Sequence, residues 1–116
     1  MKQVVCEASE LGPGQIVSAQ LGPMPVAVVR TQDGSLYGVL DKCLHQGGRL
    51  SRGITEPAPI SDRAGEYQVD LEREIIKCPW HGYEYDLKTG CTLFDPNQRI
   101  RTFKVREEDG HIVLEM

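Results

Sequence analysis

Apolar and polar residues alternate along short runs, and Gly-Pro or Asp-Gly pairs end most of these runs. Val4 to Glu7 reads as a first strand, closed by the turn sequence Leu11-Gly12-Pro13-Gly14, and Gln15 to Ala19 reads as a second. After Gly22-Pro23-Met24-Pro25, the run Val26-Ala27-Val28-Val29-Arg30-Thr31 is β-branched enough to be a buried strand. Asp33-Gly34 supplies a tight hairpin turn, and Leu36 to Leu40 returns the chain to Cys43. Residues 54 to 65 hold two prolines and no periodicity, so a surface excursion is expected there. Tyr67 to Asp70 and Glu74 to Lys77 read as a hairpin around Leu71-Glu72-Arg73, the second strand ending on Cys78. Turns at Lys88-Thr89-Gly90 and Asp95-Pro96-Asn97 lead to strands over Ile100 to Arg106 and His111 to Glu115. No helix of ten residues, internal repeat or low-complexity tract is predicted. The pattern is all-β.

Composition narrows this picture. The 116 residues suffice for one modest core, and the 12 glycines and 7 prolines agree with many turns. A single unit over 1–116 is expected. A net charge of −4 argues against nucleic acid, because phosphate binding needs a basic face. The charge is local: residues 53 to 76 carry six carboxylates against two arginines. No apolar run reaches the length of a membrane span or signal peptide, so a cytoplasmic protein without membrane attachment is expected.

Four cysteines are present, and Cys43 and Cys78 each stand beside a histidine, in Cys43-Leu44-His45 and in Cys78-Pro79-Trp80-His81-Gly82. Thiolate with imidazole suits zinc or an iron-sulfur cluster and disfavours calcium or magnesium. Zinc modules usually segregate cysteine and histidine into separate knuckles, whereas here each knuckle is mixed. Mixed knuckles fit two unlike irons, thiolates on one and imidazoles on the other. A zinc-binding interaction module remains the alternative from another class. Cys6 and Cys91 are expected as free thiols in a reducing compartment. Gly47, Gly48 and Gly82 are placed for close backbone approach to a cluster.

The motifs C-x-H and C-P-W-H-G, followed by Tyr85-Asp86 and Thr89-Gly90, resemble the Rieske iron-sulfur family, in particular its small soluble ferredoxins. The resemblance implies a Rieske fold: an antiparallel β-sandwich base with a small cluster-binding subdomain formed by two loops, here at about 41–94, with an insertion at about 53–65. It implies one 2Fe-2S cluster, with Cys43 and Cys78 on the inner iron and His45 and His81 on the outer one. It also implies a monomeric carrier between a ferredoxin reductase and a terminal oxygenase of a ring-hydroxylating dioxygenase system, with a Rieske subunit of another redox complex as the alternative.

With neutral imidazoles the formal charges of the oxidised cluster cancel, whereas four thiolates would leave it anionic. Rieske potentials accordingly span roughly −150 to +300 mV, against about −400 mV for plant-type ferredoxins. The loop disulfide of high-potential relatives has no counterpart at Gln46, Gly47 or Trp80, so the lower half of that window is expected. Tyr85 pulls the other way, because it matches a tyrosine that bonds a ligand sulfur in high-potential members. An oxygenase site of its own is excluded by count: beyond His45 and His81 only His111 remains, and a mononuclear iron site needs two histidines and a carboxylate. Pro96 resembles the proline loop that covers the cluster, Trp80 a shield or partner contact, and Arg99, Arg101, Lys104 and Arg106 a solvated face. The acidic span could steer a basic partner toward the cluster end.

Overall fold

A computed structural model describes residues 2–44, 48–60, 68–79, 83–93, 95 and 97–115. Nine strands follow in chain order: β1 (Lys2–Glu7), β2 (Ile16–Leu21), β3 (Met24–Arg30), β4 (Leu36–Leu40), β5 (Ile54–Ile60), β6 (Gln68–Lys77), β7 (Glu84–Asp86), β8 (Thr102–Glu108) and β9 (His111–Glu115). Among the described residues the only helical segments are single 3₁₀ turns at Ala8–Glu10 and Leu50–Arg52. No helix there is long and apolar enough to cross a membrane.

Six strands form the base, in the order β1-β9-β8-β4-β3-β2, and three form a smaller sheet, β5-β6-β7. Every pairing is antiparallel. The large sheet curls until its end strands β1 and β2 touch, enclosing Leu21, Val26, Val28, Phe103, Ile112 and Leu114. In β3, between β4 and β2, Val26 and Val28 point into this interior and Ala27 and Val29 point the other way. That second face packs against Ile76, Tyr85 and Leu87 of the smaller sheet and its following turn, and against Cys43 and Cys78. A strand buried on both sides therefore reads as one continuous apolar run.

Two expectations for residues 54 to 77 are corrected. Ile54–Ile60 is a strand, not a loop: β5 is an edge strand, where Pro57 and Pro59 can sit because an edge need not pair every N–H. Residues 68–70 and 74–77 do not pair with each other but belong to one ten-residue strand, β6, whose partners are β5 and β7. The register runs from Pro57↔Glu74 directly to Ala58↔Asp70, so Leu71-Glu72-Arg73 is a bulge where a turn was expected. Tyr67 and residues 61–66 lie outside the described residues. The last hairpin matches closely, with β9 as expected and β8 two residues later, because the Ile100 N–H is taken by the Gly90 carbonyl at 2.9 Å.

Candidate metal centre

Cys43 lies three residues beyond β4 and Cys78 directly follows β6, so each strand ends by delivering a thiol. Both cysteines are 2% exposed and share one buried cluster with Leu50, Ile76, Tyr85 and Leu87. The two loops close alike. The Cys43 N–H donates to the Gly48 carbonyl and the Cys78 N–H to the Tyr83 carbonyl, each five residues on and each at 2.7 Å. Gly48 thus contributes a carbonyl that ties the loop. The expected imidazole donors His45 and His81 lie outside the described residues, as do Gly47, Trp80, Gly82 and Pro96.

Gly53 joins the two loops at their base. A Cβ there would stand 1.9 Å from the Lys77 carbonyl oxygen, so only glycine lets the exit of the first loop lie against the entry to the second. Gly90 has the same importance on the far side of the site. Its φ is +78°, and a Cβ would come within 2.2 Å of the Ile100 carbonyl oxygen. The Asp86 carboxylate shapes this turn by accepting from the N–H groups of Lys88 (2.8 Å) and Thr89 (3.2 Å).

The β6–β7 register sets Tyr85 opposite Ile76 and brings its hydroxyl 3.3 Å from Cys43 Sγ. The same oxygen accepts the Leu44 N–H at 3.0 Å. Burial first, and then the hydrogen bond to Cys43, push the phenol well above its ordinary pKa. It therefore keeps its proton at neutral pH, and toward a thiolate it can only donate.

A network that the sequence did not disclose braces the first loop. Asp41 is buried, and its carboxylate accepts from Arg49 Nε (3.2 Å) and Nη2 (3.0 Å), and from the Ser51 N–H and Oγ (2.7 Å each). Ser18 Oγ of β2 donates at 3.4 Å, and the Asp41 N–H donates to the Pro25 carbonyl of β3 at 2.9 Å. One carboxylate thus ties the two ends of the loop to each other and to the base sheet. The sequence signal is slight: a carboxylate just before a ligand loop and an arginine just after it.

Cys6 and Cys91 are free thiols, as expected. Among the described residues no group of three or more His, Cys, Asp or Glu side chains is placed to hold a metal. The cysteine pair fits an iron-sulfur centre on its own chemistry: two thiols, dry, at the heads of matched loops, with a phenol aimed at one sulfur.

The Rieske [2Fe-2S] domain family matches residues 1–104, and the chain belongs to that family, whose cofactor is one 2Fe-2S cluster. Among its relatives, ferredoxin CarAc of Metapseudomonas resinovorans is 29% identical over 112 residues, covering 95% of this chain and 89% of that protein. The ferredoxin component of biphenyl 2,3-dioxygenase from Rhodococcus jostii is 24% identical over 113 residues, covering 97% and 90%. Apoptosis-inducing factor 3 of Mus musculus is 28% identical over 115 residues, but the match spans only 16% of that longer protein. Among solved structures, a protein described as the small subunit of an NADH-dependent nitrite reductase from Mycobacterium tuberculosis superposes with a TM-score of 0.79 at 26% identity, covering 98% and 93%. A chain from the complex of reduced oxygenase and oxidised ferredoxin of carbazole 1,9a-dioxygenase superposes with a TM-score of 0.72 at 26% identity, covering 98% and 92%.

Proposed function

We propose that this chain is a one-electron carrier between a ferredoxin reductase and a terminal oxygenase. Cys43 and Cys78 hold one iron of the cluster, and His45 and His81 hold the other. The observation that carries the reading is the pair of buried thiols at the heads of two identically closed loops in one apolar cluster. Relatives named as ferredoxin components of dioxygenase systems, and the structural likeness to a ferredoxin–oxygenase complex, support the choice of partners.

The cluster, when bound, supplies a centre that gains and loses one electron. The chain keeps water from the sulfurs by burying both cysteines, donates the Tyr85 O–H toward Cys43, and braces the first loop through Asp41. The chain has no catalytic step of its own and works as a cytoplasmic monomer of one domain, its cluster-binding part spanning about 41–94.

The test is absorption and low-temperature EPR before and after dithionite, repeated on His81→Cys, followed by turnover with candidate reductases and oxygenases. A colourless, redox-silent protein containing zinc would overturn the ligand assignment. Co-purification with a large subunit in fixed stoichiometry would replace the mobile carrier by a subunit of another redox complex.

A further inference from the structure

The surface beside the two cysteine loops is cationic and apolar, although the whole chain carries −4. A cleft of about 430 Å³ beside the first loop is lined by Leu44, Tyr83, Asn97, Gln98 and Arg99. A second cleft, of about 370 Å³, beside the second loop is lined by Gly53, Ile54, Lys77, Cys78 and Pro79. Each holds one exposed large apolar side chain, Leu44 at 48% and Ile54 at 53%, and one cation, Arg99 or Lys77. Neither is lined by a carboxylate.

The nearby acids are otherwise placed. Asp95 Oδ1 accepts the N–H of Asn97 within its own turn. Glu84 faces Lys77 only as its cross-strand neighbour, and no ion pair joins them. Arg99 likewise makes no ion pair among the described residues. At the far end Lys2 of β1 pairs with Glu108, and Arg106 of β8 pairs with Glu108 and Glu115. Ile60 pairs with Gln68 at one end of the β5–β6 ladder, whereas Ile54 pairs with Lys77 at the other, next to Cys78.

We propose that the two clefts form a docking surface for an acidic face of the protein partner, with carboxylates meeting Arg99 and Lys77 beside the apolar seats at Leu44 and Ile54. This rests on the electron-carrier reading and adds the sign of the partner's charge, opposite to that expected from the acidic span. Unpaired cations beside the cysteine loops draw an acidic surface in. Exposed apolar side chains at the same place are what a partner covers on binding.

The experiment reads the local charge without any partner. The reduced, cluster-loaded chain is mixed in stopped flow with hexacyanoferrate(III), a trianion, or tris(bipyridine)cobalt(III), a trication, each taking one electron, and each rate is followed against ionic strength. The trianion rate should fall with added salt and the trication rate should rise, although the net charge alone demands the reverse. Arg99→Glu with Lys77→Glu should slow the trianion by about tenfold at low ionic strength, an effect screened away by about 1 M salt. The control, Lys2→Glu with Lys104→Glu, makes the same change in net charge and should alter the rate less than about twofold. A trianion rate that rises with salt, or a control that slows it as much as the test pair, overturns the proposal. Absence of turnover with reductases and oxygenases would instead remove the carrier reading and leave these rates standing.

Discussion

Replacing Tyr85 by phenylalanine should lower the reduction potential. The hydroxyl lies 3.3 Å from Cys43 Sγ and is fully buried, so its bond is neither shared with solvent nor screened. Hydrogen bonds to charged groups contribute about 1.5–3 kcal/mol. The bond strengthens as the sulfur gains charge on reduction, and assigning roughly 1 kcal/mol of it to that difference leaves the rest common to both states. One electron moved through 59 mV is a tenfold change, about 1.4 kcal/mol, so Tyr85→Phe should shift the midpoint by about −40 mV. Protein-film voltammetry at pH 7 reads the shift, and EPR of the reduced form confirms an intact centre. The same substitution strips the Leu44 N–H of its acceptor, so stability should fall by about 1–3 kcal/mol in a denaturant titration. A midpoint within 10 mV of the parent, or a rise, with unchanged EPR would refute the reasoning, because the phenol would then not act on a ligand sulfur.

Asp41→Ala should destabilise the chain by about 1–3 kcal/mol, since Ser51 loses its acceptor while the half-exposed Arg49 turns to water, and should reduce iron bound per chain; denaturant melts and iron analysis check this. Gly90→Ala should cost more than about 2 kcal/mol, combining a left-handed φ with a collision against the Ile100 carbonyl, read as a lowered midpoint of thermal unfolding. Glu74 is buried with Oε2 unpartnered among the described residues, and its pKa is raised, by burial above all and also by Asp33 and Glu56, against the bond from the Gln32 backbone. A carboxyl raised in the fold binds its proton more tightly there than in the unfolded chain. Its contribution is therefore full below the unfolded value of about 4.3 and is lost as pH rises through the folded pKa. Glu74→Gln should accordingly stabilise the protein at pH 7, with a gain that shrinks as pH falls toward 4; an equal gain at both pH values would contradict the assignment.

The legible parts were those set by local chemistry. The β-branched run Val26 to Thr31 reads as a buried strand, and β3 is buried over Val26 to Val29, on both sides as it turns out. Asp33-Gly34 and Asp109-Gly110 fixed their hairpins, because positive φ is needed where Gly34 and Gly110 stand. The Tyr85 contact to a cysteine sulfur agrees with what the family resemblance implies. The β5–β6 region misled, because prolines in an edge strand look like prolines in a loop, and a three-residue bulge looks like a turn. Whether a proline N–H is missed depends on whether the strand has a neighbour on that side, which no local window contains.

By itself the sequence determined the all-β class, the alternation of most strands, and two mixed cysteine–histidine motifs whose donor types select zinc or an iron-sulfur centre over hard metals. Only the tertiary structure decided that β1 pairs with the C-terminal β9, that Gly53 lies against the Lys77 backbone, and that Asp41 holds Arg49 and Ser51. Local periodicity and donor chemistry are written residue by residue. Partners distant along the chain are chosen by which apolar faces close together, and a buried carboxylate acquires its role from the donors that this closure leaves beside it.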